Sequence, residues 1–177
     1  MASGGNASIS RPVQSGRFAA AAGGFTNLLV VSPFAEGVYW FLHAPLIYED
    51  SASNEIVVAR YFVTDFASIP RFLWLLLPKW DGYGMPSVVH DYLYWEQQGH
   101  NRCMADNVLL SAMKDQDVAK WKCVVIYYAL RLFGFFAWRD NARQKATGTS
   151  HYVRTDQPLP GPTEPWLAYE TRIAKTQ

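Results

Sequence analysis

Between residues 25 and 64 the apolar side chains fall in short β-branched and aromatic runs, Leu28–Val31, Val38–Leu42 and Ile56–Val58. Ser32-Pro33, Ala44-Pro45 and the polar stretch Asp50–Asn54 separate them. Runs of this length bounded by turn residues predict three strands in an antiparallel meander. After Pro70 the period changes. Arg71–Leu77 is a strongly apolar turn, Pro78–Pro86 is a Gly/Pro loop, and Ser87 is placed to N-cap a helix that reaches Gln98 and stops at Gly99. Asn101 caps a second helix to about Asp117. A third, from about Val118 to Trp138, is apolar nearly all round, which predicts the buried member of the set. The expected fold is α+β, a small antiparallel sheet followed by a three-helix cluster.

The ends read differently. Residues 1–24 are rich in Gly, Ala and Ser and predict a flexible N-terminal arm, leaving 25–147 as a single core domain. In residues 148–177, a proline-rich linker, Gln157–Pro165, leads to the helix-start chemistry of Thr163-Glu164-Pro165. Trp166, Tyr169 and Ile173 then share one face of a short docking helix, which needs cover from the chain's own core or from a neighbour. Neither arm has enough apolar surface for its own core, so self-assembly or contact with other chains is expected through them.

Sixteen Lys+Arg against fifteen Asp+Glu give a net charge of +1, so no basic excess is available to neutralise a phosphate backbone, and nucleic acid is not an expected partner. Aromatics make 15% of the chain, which excludes a disordered protein and requires a large covered aromatic surface. Cys103 and Cys123 form neither a disulfide framework nor a CxxC pair. The N-terminal stretch lacks the apolar core of a secretory signal. The longest apolar run, Cys123–Trp138, contains Arg131 and falls short of the ~20 residues of a membrane span.

Polar chemistry concentrates in His90-Asp91-Tyr92-Leu93-Tyr94 and in Arg102 and Asp106 on the next helix. His90 and Tyr94 stand one turn apart on a shared face, and Asp91 points about 100° away. Cys103, Asp106, Leu110 and Met113 follow 3-4-3 spacing, which turns Asp106 toward the first helix, where a carboxylate needs a partner. His90, with Tyr94 beside it, is the candidate. A carboxylate on one ring nitrogen leaves the other as a general base, and Asp91 is then placed to hold a divalent cation, the logic of a metal-assisted ester hydrolase. The same residues also read as a core histidine with a macrodipole-favoured carboxylate.

Thr64, Asp65 and Ser68 are polar islands in the apolar stretch Phe62–Arg71. They read either as an elaborate capped turn or, for Asp65, as a further oxygen for the cation site. Phe72–Leu77 is core or a lipid-facing patch. His43, His100 and His151 show no metal-ligand spacing.

These blocks, in the order Phe41-Leu42 with Pro45–Tyr48, Phe62–Arg71, His90–Tyr94, Arg102 with Ala105-Asp106, and Arg131–Gly134, resemble a domain-of-unknown-function family encoded mainly by tailed phages and prophages. The resemblance spans about residues 38–138. It implies phage origin, other virion proteins as partners, and a place in the virion or in the host cytoplasm during assembly. His90, Asp91, Tyr94 and Asp106 also resemble the helix motif of the phospholipase A2 superfamily. That likeness implies His90 as base, Asp106 as its orienter and calcium on Asp91, with lipid as a partner; the disulfides of that superfamily are absent. Two functions are therefore expected side by side: a cation-assisted hydrolase of ester or cell-envelope substrates, or a non-catalytic structural or assembly component such as a minor capsid, connector or tail protein.

Overall fold

The computed structural model describes residues 23–66 and 82–176. Most of the N-terminal arm, together with Ser68 and Phe72–Leu77, lies outside them. The fold is α+β, as the pattern predicts, but the expected meander is two sheets. β1 (Gly24–Phe25), β4 (Leu46–Glu49) and β5 (Glu55–Val58) form one antiparallel sheet in the order β1-β4-β5. β2 (Val31–Pro33), β3 (Trp40–Leu42) and β6 (Val63–Thr64) form the other in the order β2-β3-β6. The chain changes sheet at Ala44-Pro45, where proline has no N–H to continue a ladder. Asn27 pins that corner, donating to the Pro45 carbonyl at 2.6 Å and accepting from Ile47 N at 2.9 Å. Only Val31 of the first apolar run enters a strand, and Leu28 is exposed.

Among the described residues four helices follow: α1 (Gly84–Glu96), α2 (Arg102–Asp115), α3 (Lys120–Ala146) and α4 (Trp166–Ala174). Ser87 is not a cap. α1 begins three residues earlier, with Tyr83 at the N-cap and Pro86 inside the first turn, where a missing N–H costs no helical bond. α1 ends with Gln97 in the left-handed region, φ 55°, and the Asn101 side chain caps α2 by accepting from Met104 N at 3.0 Å.

The helix at the centre is α1, not α3. Val88, Val89, His90, Leu93, Tyr94 and Trp95 are all buried, and the cluster includes Leu46, Tyr48 and Val58 of the β1-β4-β5 sheet. α3 runs on past Trp138 to Ala146 and buries one side only, through Cys123, Ile126, Ala129, Leu130 and Gly134. Trp121, Tyr128, Leu132 and Phe136 on its other side are exposed, because α1 and α2 pack against its inner face. Within this longer helix, α3 is also the one helix among the described residues that is long and apolar enough to cross a membrane by length and composition.

Residues 151–153 return beside β6, with Val63 N donating to the His151 carbonyl at 2.8 Å and Val153 N to that of Tyr61 at 2.9 Å. α4 then docks on the chain's own core. Trp166 and Tyr169 are buried with Phe34, Phe41, Val63 and Val153, and Ile173 packs against the edge of that cluster. Glu36 receives Trp166 N at the start of α4 (3.1 Å), a carboxylate at the positive end of a helix.

Candidate functional site

Asp106 is fully buried on α2 and accepts from four donors. The Tyr94 hydroxyl (2.6 Å) and His90 Nε2 (3.2 Å) meet its Oδ1. Arg131 Nη1 (3.0 Å) and Arg102 Nη1 (3.3 Å) meet its Oδ2. Arg102 also donates to the Leu130 carbonyl at 3.0 Å. One carboxylate therefore joins α1, α2 and α3. The shared helical face predicted for His90 and Tyr94 is present, with ring centroids 4.0 Å apart.

Burial alone would raise the Asp106 carboxyl, but the hydrogen bonds from His90 and Tyr94 outweigh it and hold the group below the usual carboxylate range. Burial pulls His90 below the ordinary histidine value despite Asp106, so its ring is neutral at pH 7. Because Nε2 faces an ionised acceptor, Nε2 carries the proton and Nδ1 the lone pair. Burial, then the bond to Asp106, pushes the Tyr94 hydroxyl up, so it stays a donor.

The His90 and Tyr94 rings form part of the wall of a cavity of about 750 Å³. Asp91 opens on the same cavity, its Oδ2 accepting from the Thr64 hydroxyl at 2.5 Å, and that hydroxyl accepts from Phe66 N at 3.2 Å. Asp65 lies beside them. α3 contributes Asp140 and Asn141, and α4 contributes Trp166 and Glu170. His151 completes this side, stacked on Trp95 at 3.9 Å and pushed down by burial to about 4. The cavity is acidic: Asp65, Asp91, Asp140 and Glu170 line it, and no Lys or Arg does so among the described residues.

The structure thus brings His90, Tyr94, Arg102 and Asp106 into one network and sets Thr64, Asp65 and Asp91 along the cavity that this network borders. Ser68 lies outside the described residues. Among those residues no group of three His, Cys, Asp or Glu side chains is arranged to hold a metal ion. Asp65 and Asp91, the latter already holding Thr64, fall short of the roughly six to eight oxygens that calcium takes.

Sequence reasoning missed Arg131, Gly134, Asp140, His151 and Glu170 as members of the site. Arg131 had a signal, being the lone charge in the apolar run Cys123–Trp138, and so did Gly134, a glycine inside a helix. His151 had none, since only the return of the C-terminal arm brings it to the cavity.

No curated protein and no solved structure matches the chain. Residues 40–130 match the family described as protein of unknown function, DUF1353. The matched stretch is just over half of the chain and includes β3 to β6, α1, α2 and the first part of α3, with His90, Tyr94, Arg102 and Asp106 inside it. The match covers the buried network except for Arg131, which lies just beyond it, and the chain belongs to the DUF1353 family.

Proposed function

We propose that this chain is a phage-encoded, virion-associated protein whose His90–Asp106 pair forms a hydrolase site for an ester or cell-envelope substrate. The observation that carries the reading is a neutral histidine, oriented through Nε2 by a buried carboxylate, in the wall of a large cavity whose charged lining is acidic. The order of the sequence motifs supports the phage origin.

In the reaction, the His90 imidazole takes a proton from water as the water oxygen bonds to the ester carbonyl carbon. Asp106 stabilises the imidazolium through the Nε2 proton. Collapse of the tetrahedral intermediate breaks the ester C–O bond, and the same proton passes to the leaving oxygen, giving acid and alcohol. The four carboxylates select a neutral or cationic substrate over a phosphate-rich one.

A second reading, a non-catalytic structural or assembly component, is favoured by one observation: Asp106 is sealed by two arginines that tie α2 to α3, while His90 and Tyr94 tie α1 to the same carboxylate. Hydrolysis of short-chain nitrophenyl esters, phosphatidylcholine and peptidoglycan, each with calcium or with chelator, tests the choice. The hydrolase reading expects turnover that His90→Gln lowers at least about a hundredfold with little change in the thermal melt. Wild-type turnover no higher than that of the variant, with a melt lowered by the substitution, overturns it in favour of the structural reading.

A further inference from the structure

We propose that the outer face of α3 docks flat onto an anionic bilayer surface. Trp121, Val125, Tyr128, Leu132 and Phe135 recur along it at alternating steps of four and three residues, forming one continuous stripe with Phe136 beside it. Its large side chains are open to solvent: Trp121 is 55% exposed, Tyr128 62%, and Leu132 and Phe136 71% each. At ~200 Å² per aromatic side chain, the exposed portions of Trp121, Tyr128, Phe135 and Phe136 alone amount to on the order of 470 Å². That is within the range of the largest apolar patch on a typical monomer before the aliphatic neighbours are added.

Charge selects the occupant. α3 carries Lys120, Lys122, Arg131, Arg139, Arg143 and Lys145 against a single acid, Asp140. Arg131 and Lys145 turn inward, to Asp106 and Glu96. Lys120, Arg139 and Arg143 stand at the two ends of the stripe, with Arg139 over Phe135. Pairing with a second copy of α3 brings cationic ends together in either direction, with one acid on each helix to relieve them. An anionic headgroup layer attracts all three, while the aromatic stripe enters the boundary below it.

The helix lies on the bilayer and does not cross it. Its other side is committed to the fold through Cys123, Ile126 and Leu130 and through the Arg131–Asp106 ion pair. The stripe is also separate from the cavity, which meets α3 on its opposite side at Leu130 and Asn141, so the docking surface stands without the hydrolase reading.

Co-sedimentation of the full chain tests the proposal, using vesicles of phosphatidylcholine alone and of equal parts phosphatidylcholine and phosphatidylglycerol. The expected result is at least about tenfold stronger partitioning to the anionic vesicles, weakening with salt. Leu132→Ser with Phe136→Ser should lower partitioning at least about tenfold. Arg139→Glu with Arg143→Glu should remove the preference for anionic lipid. Both pairs are on the surface, and unchanged melts confirm that folding is intact. No partitioning by the wild type, or equal partitioning by the serine variant, overturns the proposal. A wild-type dimer by light scattering that the serine pair dissociates also overturns it, by assigning the face to a second copy.

Discussion

The Tyr94 hydroxyl on α1 occupies the place where the first side-chain atom of residue 134 on α3 would stand. A Cβ at Gly134 would meet that oxygen in direct collision and would lie 3.4 Å from Arg102 Nη1. Glycine inside a helix costs ~0.5–1 kcal/mol relative to alanine, so its presence here is accounted for by the tyrosine that bonds Asp106 at 2.6 Å.

Gly134→Ala, which improves helix propensity, is therefore expected to destabilise the fold by about 1–3 kcal/mol. Tyr94→Phe removes both the colliding oxygen and its bond to Asp106, so the double variant should lose less than the sum of the two single losses. A double-mutant cycle by urea denaturation measures this, and simple additivity would contradict the shared space.

Asp106→Asn keeps the shape of the side chain but leaves Arg102 and Arg131 without their common negative charge. A loss of about 3–5 kcal/mol is expected, as for one partner removed from a buried ion pair. A loss below about 1 kcal/mol would mean that solvent carries these charges instead.

Acid should loosen the fold through its histidines. His151 is held at about 4 by burial against an ordinary 6.5, so the folded chain refuses a proton that the unfolded chain accepts. Its stabilising contribution is complete above pH 6.5 and is lost as pH falls from there toward 4, reaching on the order of 3 kcal/mol. His90 is shifted in the same direction, also by burial. His151→Phe keeps an aromatic ring for Trp95 and should flatten the pH dependence of the urea midpoint between 6.5 and 4. An unchanged slope would show that His151 titrates normally.

Trp166 meets Phe34 edge-on at 5.2 Å and stacks on Tyr169 at 5.7 Å, so Trp166→Ala should cost about 3–5 kcal/mol locally. Limited proteolysis should then cut the chain within α4 before it cuts residues 40–130. Equal resistance in variant and wild type would show that α4 docks without its tryptophan.

The meeting of His90, Tyr94, Arg102 and Asp106 was legible because helical spacing is local and a carboxylate turned toward a neighbouring helix must find donors there. The division of the strands was not, since Leu28–Val31 has strand composition but the Asn27 clamp and Pro45 decide which residues reach a ladder. The exposure of α3 escaped for a different reason. An apolar helix advertises that it needs cover, and nothing in its own residues says whether this chain supplies it.

Glu36 and Trp166 meet across 130 positions of sequence, and that span imposes an order on biosynthesis. Translated at ~5–20 residues per second, a new chain displays Phe34 and Phe41 for on the order of ten seconds before α4 emerges to cover them. During this interval the nascent protein offers a transient target to chaperones. The wall formed by Trp166 and Glu170 is also missing then, so the cavity is finished only once α4 has been made and docked.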